Sequence, residues 1–185
     1  RQPGSAFKAI VYTAAIANGS RLDCNDEGEG KCKTDDVPTI CLDMGKGQPK
    51  KCIQNYPYKN KEMIRYLGPK SELKYSLWES RNAGTICLVL KRCGHLEIKE
   101  LLKFAKDLGI ETPLKPYPTT AIGASEVTLF ELTNAVKTIA NFGVKTNPYI
   151  IEGISDRSGK EIYRHKSDSE IRVLDEKIAL QAIRG

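Results

Sequence analysis

The chain has 185 residues, 40% of them hydrophobic and 28% charged, which fits one globular unit able to bury about two-thirds of its unfolded surface. No apolar run approaches the ~20 residues of a membrane helix, so these residues read as soluble, with no spanning segment among them. The net charge of +6 comes from 29 basic residues interleaved with 23 acids. With no basic helix or aromatic-basic module, that pattern argues against nucleic acid and suits a surface facing an anionic cell wall.

In chain order, Arg1-Gln2-Pro3-Gly4 reads as a turn, an odd natural beginning that suggests a piece of a longer protein. A first helix follows, with Phe7, Ile10, Val11 and Ala14 at helical spacing and Asn18-Gly19 as its stop, so that Ser5 lies in its first turn. From about Ser20 to Lys70 the periodicity vanishes into an irregular segment, including the run Asp26-Glu27-Gly28-Glu29-Gly30. Cys24, Cys32, Cys41 and Cys52 crowd into it without the Cys-x-x-Cys pairs of zinc sites. Disulfides in an oxidising compartment are the better reading, with three pairings left open, and neither a metal nor another cofactor is expected.

Helical periodicity resumes over 71–79, 83–93 and 97–108, the last with Ile98, Leu101, Leu102, Ala105 and Leu108 on one face and Gly109 as its stop. Cys87 and Cys93 both fall in the second of these and are read as buried free thiols. After a proline-rich link at 113–118, Thr128 and Glu131 form a capping box ahead of Leu129, Leu132, Val136 and Ile139, and Gly143 ends the helix. Residues 149–154 and 160–164 predict two strands joined by Asp156-Arg157-Ser158-Gly159, followed by a short helix over 176–183. The fold class is α+β: a mostly helical chain with one hairpin and too few strands for a sizeable sheet.

Two short patterns carry chemistry. Ser5-Ala6-Phe7-Lys8 places a hydroxyl and an amine three residues apart on one helix face. A serine attacks only when a base accepts its proton, and a lysine is that base only when burial or neighbouring cations lower its pKa. Ser80-Arg81-Asn82 falls between two predicted helices, where a turn can present a hydroxyl to relay a proton and an amide to hold a substrate. Each alone is common: a chance Ser-x-x-Lys on a solvated face, or an N-cap serine with a turn asparagine.

Together, and in their sequence context, these residues resemble a known family. Arg1-Gln2-Pro3-Gly4-Ser5-Ala6-Phe7-Lys8 is similar to the nucleophile motif of class A penicillin-binding proteins, the bifunctional enzymes that polymerise and cross-link peptidoglycan. Ser80-Arg81-Asn82 resembles the family's second motif. Ile122-Gly123-Ala124-Ser125-Glu126-Val127-Thr128 with Leu129-Phe130-Glu131-Leu132 and Ala140-Asn141-Phe142-Gly143 resembles its Gly-x-Ser-Glu-Val-Thr region. The likeness runs in family order along nearly the whole chain, apart from the cysteine-rich stretch.

The resemblance implies the helical portion of a serine β-lactamase/D,D-transpeptidase-like domain whose main sheet lies largely outside this chain, so that 1–185 is a partial transpeptidase domain. It implies that Ser5 is acylated by D-Ala-D-Ala stem peptides, that β-lactams trap the same acyl-enzyme, that Lys8 is the general base and Ser80 the proton shuttle, and that Asn82 binds the substrate backbone. The backbone N–H of Ser5 would give half of an oxyanion hole. It further implies a membrane-anchored parent on the periplasmic side of the inner membrane, with a glycosyltransferase domain upstream.

Two departures stand out. Ala9 replaces a common proline, without expected chemical consequence. No Lys-Thr-Gly triplet occurs, because Ser158-Gly159-Lys160 is reversed and Lys145-Thr146-Asn147 lacks the glycine, so the third motif is expected beyond the C-terminal side and the fragment alone should be inactive. A non-catalytic wall- or partner-binding module and a β-lactamase or sensor domain are the competing readings. Retention of Ser5, Lys8, Ser80 and Asn82 disfavours the first, and the context of the motifs disfavours the second.

Overall fold

A helix that is apolar on most of its faces must bury most of them, and α1 (Lys8–Ala17) is such a helix: Ile10, Val11, Tyr12, Ala14 and Ala15 are each at most 1% exposed, and Ala9 alone is open to solvent. The computed structural model describes residues 1–24, 32–34, 39–42, 49–54, 71–166 and 170–184; the acidic run 26–30 and much of the 20–70 stretch lie outside the described residues. Around α1 pack α2 (Leu73–Trp78), α3 (Asn82–Val89), α4 (Ile98–Asp107), α5 (Leu129–Ala140) and α6 (Glu176–Arg184). Leu101, Ala105 and Leu108 of the α4 stripe, Leu88 and Val89 of α3, Ala135 and Ile139 of α5 and Ala179 of α6 complete one core with Phe7 and Ile10. Each large apolar side chain buried there contributes roughly 1.5–3 kcal/mol.

Each of α1–α5 ends in the same backbone device, in which the second residue past the helix turns left-handed and two successive N–H groups reach back to the last carbonyls. Glycine fills that position after α1 (Gly19, φ +79°) and after α4 (Gly109, φ +106°). Elsewhere it is Ser80 (φ +54°), Lys91 (φ +56°) and Phe142 (φ +51°), where a side chain is strained. Gly143, expected as the stop of α5, is thus the residue after the left-handed one. It has its own reason to be glycine: with φ at +83°, a Cβ there would lie 2.2 Å from the Leu174 carbonyl oxygen.

Lys91 also corrects the reading of Cys87 and Cys93. The predicted helix over 83–93 stops at Val89, the left-handed Lys91 turns the chain back, and Cys93 comes within 5.4 Å (Cα–Cα) of Cys87, to which it is disulfide-bonded. Neither is a free thiol. The four upstream cysteines pair as Cys24–Cys32 and Cys41–Cys52. The first bond has a local purpose. The opening N–H groups of α2 have no side-chain cap, and those of Leu73 and Lys74 donate instead to the Cys32 and Leu22 carbonyls at 2.9 Å. The disulfide ties together the segment that supplies both acceptors.

The strands among the described residues form four antiparallel pairs: β1 (Lys33–Thr34) with β4 (Ser71–Glu72), β2 (Thr39–Leu42) with β3 (Lys51–Gln54), β5 (Val144–Lys145) with β8 (Ile171–Arg172), and β6 (Gly153–Ser155) with β7 (Glu161–Arg164). The last is the predicted hairpin, although its first strand begins at Gly153 and not at 149, with Gly159 left-handed in its turn (φ +85°) and the Asp156 carboxylate accepting from the Ser158 and Lys160 N–H groups. The other three pairs have two to four residues per strand, too few for an apolar alternation to register in sequence. In β2–β3 the register sets Cys41 directly opposite Cys52.

Candidate active site

The nucleophile candidate sits where two helix types meet. Gly4–Phe7 form a 3-10 turn that runs directly into α1 at Lys8, and the Lys8 N–H donates to the Ser5 carbonyl. In 3-10 geometry, side chains three residues apart eclipse, so Ser5 and Lys8 share one face. Ser5 is exposed, whereas Lys8 is only 1% exposed; the turn therefore presents a hydroxyl to solvent above a buried amine. Phe7, also 1% exposed, anchors the turn in the core between them.

The second motif arrives from α2. Ser80 takes the left-handed position after that helix, with its N–H donating to the Leu77 carbonyl at 3.0 Å and that of Arg81 to Ser76 at 2.7 Å. This conformation turns both oxygens of Ser80 toward α1. The Lys8 Nζ donates to the Ser80 carbonyl at 2.5 Å and to its Oγ at 3.2 Å. Desolvation by burial lowers the Lys8 pKa from its ordinary value to about 8. Two motifs 72 residues apart in sequence are thus joined at one amine, and Asn82 opens α3 two residues beyond Ser80. The α2–α3 approach depends on Gly84, where a Cβ would lie 2.5 Å from that of Ser76.

A profile of the penicillin binding protein transpeptidase domain matches residues 40–182. The chain belongs to the penicillin-binding transpeptidase family. Among curated relatives it is 36% identical over 167 residues to penicillin-binding protein 1A of Rickettsia bellii, covering 89% of this chain and 18% of the relative. It is 30% identical over 165 residues to penicillin-binding protein 1A of Pseudomonas aeruginosa, again covering 89% and 18%. The chain thus spans less than a fifth of these relatives' length. Among solved structures it resembles penicillin-binding protein 1A of Haemophilus influenzae, with a TM-score of 0.78, 21% identity, and 98% of this chain covered against 29% of that one. It also resembles the imipenem acyl-enzyme complex of penicillin-binding protein A of M. tuberculosis, with a TM-score of 0.73, 20% identity, and coverage of 100% and 42%. At that identity the structures establish the fold, which is the transpeptidase fold expected from the motifs.

Within this family fold, one further segment packs against the Ser5 turn. Gly123, Ser125 and Val127 belong to a segment that lies against residues 1–4: Arg1 and Val127 exchange a pair of hydrogen bonds of 3.1 Å each, and the Gly4 N–H donates to the Gly123 carbonyl at 3.3 Å. The clue in the sequence is Gly123 two residues before Ser125, a pattern too common to identify alone. Among the described residues, no group of three or more His, Cys, Asp or Glu is arranged to hold a metal ion.

Proposed function

We propose that these residues carry the acylation machinery of a peptidoglycan D,D-transpeptidase, with Ser5 as nucleophile, Lys8 as general base, Ser80 as proton relay and Asn82 as a holder of the substrate amide. The observation that carries the reading is the buried Lys8 amine hydrogen-bonded to both oxygens of Ser80. A neutral amine has two N–H groups and one lone pair. With both hydrogens directed at Ser80, the lone pair is left to accept the Ser5 proton, and with a pKa of about 8 roughly a tenth of Lys8 is neutral at pH 7.

The step balances as follows. The Ser5 hydroxyl gives its proton to Lys8 as Oγ bonds the carbonyl carbon of the penultimate D-Ala of a stem peptide. The tetrahedral intermediate then collapses with cleavage of the C–N bond; Ser80 Oγ delivers its proton to the departing D-Ala amine and is reprotonated by Lys8. An amine on a neighbouring strand reverses the sequence and takes the acyl group. The Ser5 N–H stabilises the oxyanion, and a Lys-Thr-Gly-type strand elsewhere in the parent protein supplies the second donor. β-Lactams acylate Ser5 by ring opening along the same route. Three disulfides and the family assignment support action on the extracytoplasmic side; a membrane anchor and a glycosyltransferase domain in the parent rest on the resemblance to class A enzymes alone.

The test is labelled penicillin applied to the parent protein, followed by peptide mapping. One label per chain on the peptide containing Ser5, abolished by Ser5→Ala, is expected; label on another residue, or none, would overturn the assignment.

A further inference from the structure

We infer that Gly123 is a positioning residue for the nucleophile: its backbone supports Gly4 at a separation that no side chain permits, and so fixes the height of the Ser5 turn relative to Lys8. The inference rests on the proposed role of Ser5. A Cβ placed on Gly123 would lie 2.1 Å from the Gly4 oxygen, 2.5 Å from its nitrogen and 2.6 Å from its carbonyl carbon. These are backbone atoms, which cannot swing aside as the tip of a flexible side chain can. Gly123 is also left-handed, with φ at +77°.

Gly123 is itself held from behind by a closed ring of hydrogen bonds. The Lys115 N–H donates to Ser125 Oγ at 3.1 Å, and Thr120 Oγ1 donates to the Lys115 carbonyl at 2.6 Å. The remaining link, 2.6 Å between Ser125 Oγ and Thr120 Oγ1, then has Ser125 as donor. Both hydroxyls are buried, at 3% and 1% exposed. The Gly123 and Ala124 N–H groups donate to the Thr120 and Thr119 carbonyls, so the 3-10 turn Pro118–Ile122, capped by Gly123, is tied through Thr120 to the Lys115–Ser125 ring. The Arg1–Val127 pair of hydrogen bonds fixes the other end of the contact. Ser125 therefore acts as a strut, its hydroxyl engaged by the Lys115 N–H and Thr120 Oγ1.

Gly123→Ala forces Gly4 away by about 1 Å, and misplacement of that size can cost ~10²-fold in rate. None of these bonds involves the Lys8 amine or Ser80, whose own contact is from Lys8 Nζ to both Ser80 oxygens. The experiment is stopped-flow acylation of the parent protein by a chromogenic β-lactam, with Gly19→Ala as control: Gly19 shares the left-handed conformation (φ +79°) but a Cβ there meets no atom within 4 Å. Expected for Gly123→Ala are an acylation rate constant about 10²-fold lower at saturating β-lactam, unchanged non-covalent affinity, full end-point stoichiometry and the wild-type pH midpoint. Gly19→Ala should acylate at the wild-type rate. Equal rate constants for the Gly123 and Gly19 variants would overturn the inference, whereas an unlabelled wild type would overturn the proposed function instead. Should Gly123→Ala fail to fold, Ser125→Ala decides: opening the ring without adding an atom should slow acylation roughly tenfold, and an unchanged rate constant would overturn the inference.

Discussion

Replacing Ser80 by glycine and by alanine should separate its structural cost from its chemical use. A side chain in the left-handed region costs ~1–2 kcal/mol, and Ser80 stands there with φ at +54° after α2, the position where α1 and α4 use glycine. Ser80→Gly removes that strain, offset by ~0.5–1 kcal/mol of extra chain entropy in the unfolded state. Both substitutions also delete the hydroxyl that Lys8 reaches at 3.2 Å, a net loss of ~0.5–1.5 kcal/mol, while keeping the carbonyl at 2.5 Å. Ser80→Gly should therefore fall within about 1 kcal/mol of wild type, and Ser80→Ala should be about 1 kcal/mol less stable than Ser80→Gly. Acylation should drop ~10²-fold or more in both, since both lose the relay. Urea unfolding of the parent protein measures the first pair of values and labelled-penicillin kinetics the second. If Ser80→Ala proves as stable as Ser80→Gly, the strain argument is wrong; if either keeps its acylation rate, Ser80 is no relay.

Acylation should rise with pH around a midpoint near 8, where burial places the Lys8 pKa, and Lys8→Arg should abolish it; a midpoint near 10 would show that the amine is not desolvated. Because folded Lys8 loses its proton near 8 and the unfolded side chain near 10.5, the unfolded chain holds more protons between those values, so this group adds stability as pH rises through that window. Burial pushes the Glu131 carboxyl up, but hydrogen bonds from Thr128 and Thr112 outweigh it and hold the pKa at about 2. Its stabilisation is complete above the ordinary 4.5 and lost as pH falls toward 2, so Glu131→Gln should lower the unfolding free energy from urea titration at pH 7 by about 1–2 kcal/mol, a gap that closes by pH 2. Mass mapping without reduction should recover Cys24–Cys32, Cys41–Cys52 and Cys87–Cys93, and changing Cys24 and Cys32 together to serine should cost ~2 kcal/mol and raise amide exchange at Leu73 and Lys74.

The helices were legible because their signals are local. The apolar spacing of Phe7, Ile10, Val11 and Ala14, the stripe of α4 and the Thr128–Glu131 box each lie within a few residues, and each produced the element expected. Ser5, Lys8, Ser80 and Asn82 were legible as two short patterns in a recognisable order. Their meeting was not. A contact between residues 72 apart leaves no periodicity in sequence, so only the tertiary structure brings the Lys8 amine to both oxygens of Ser80 and desolvates it. Left-handed turns on Lys91 and Phe142 were hidden for a related reason: glycine announces that conformation, whereas a side chain held there by long-range packing does not. The Cys87–Cys93 bond followed from one such turn, and the roles of Gly123 and Ser125 from a backbone approach between segments more than a hundred residues apart. Short-range conformational preference determined the helices and the one hairpin, whereas the two- to four-residue strand pairs and the site depended on loop closures whose free energy is returned only when the whole core packs.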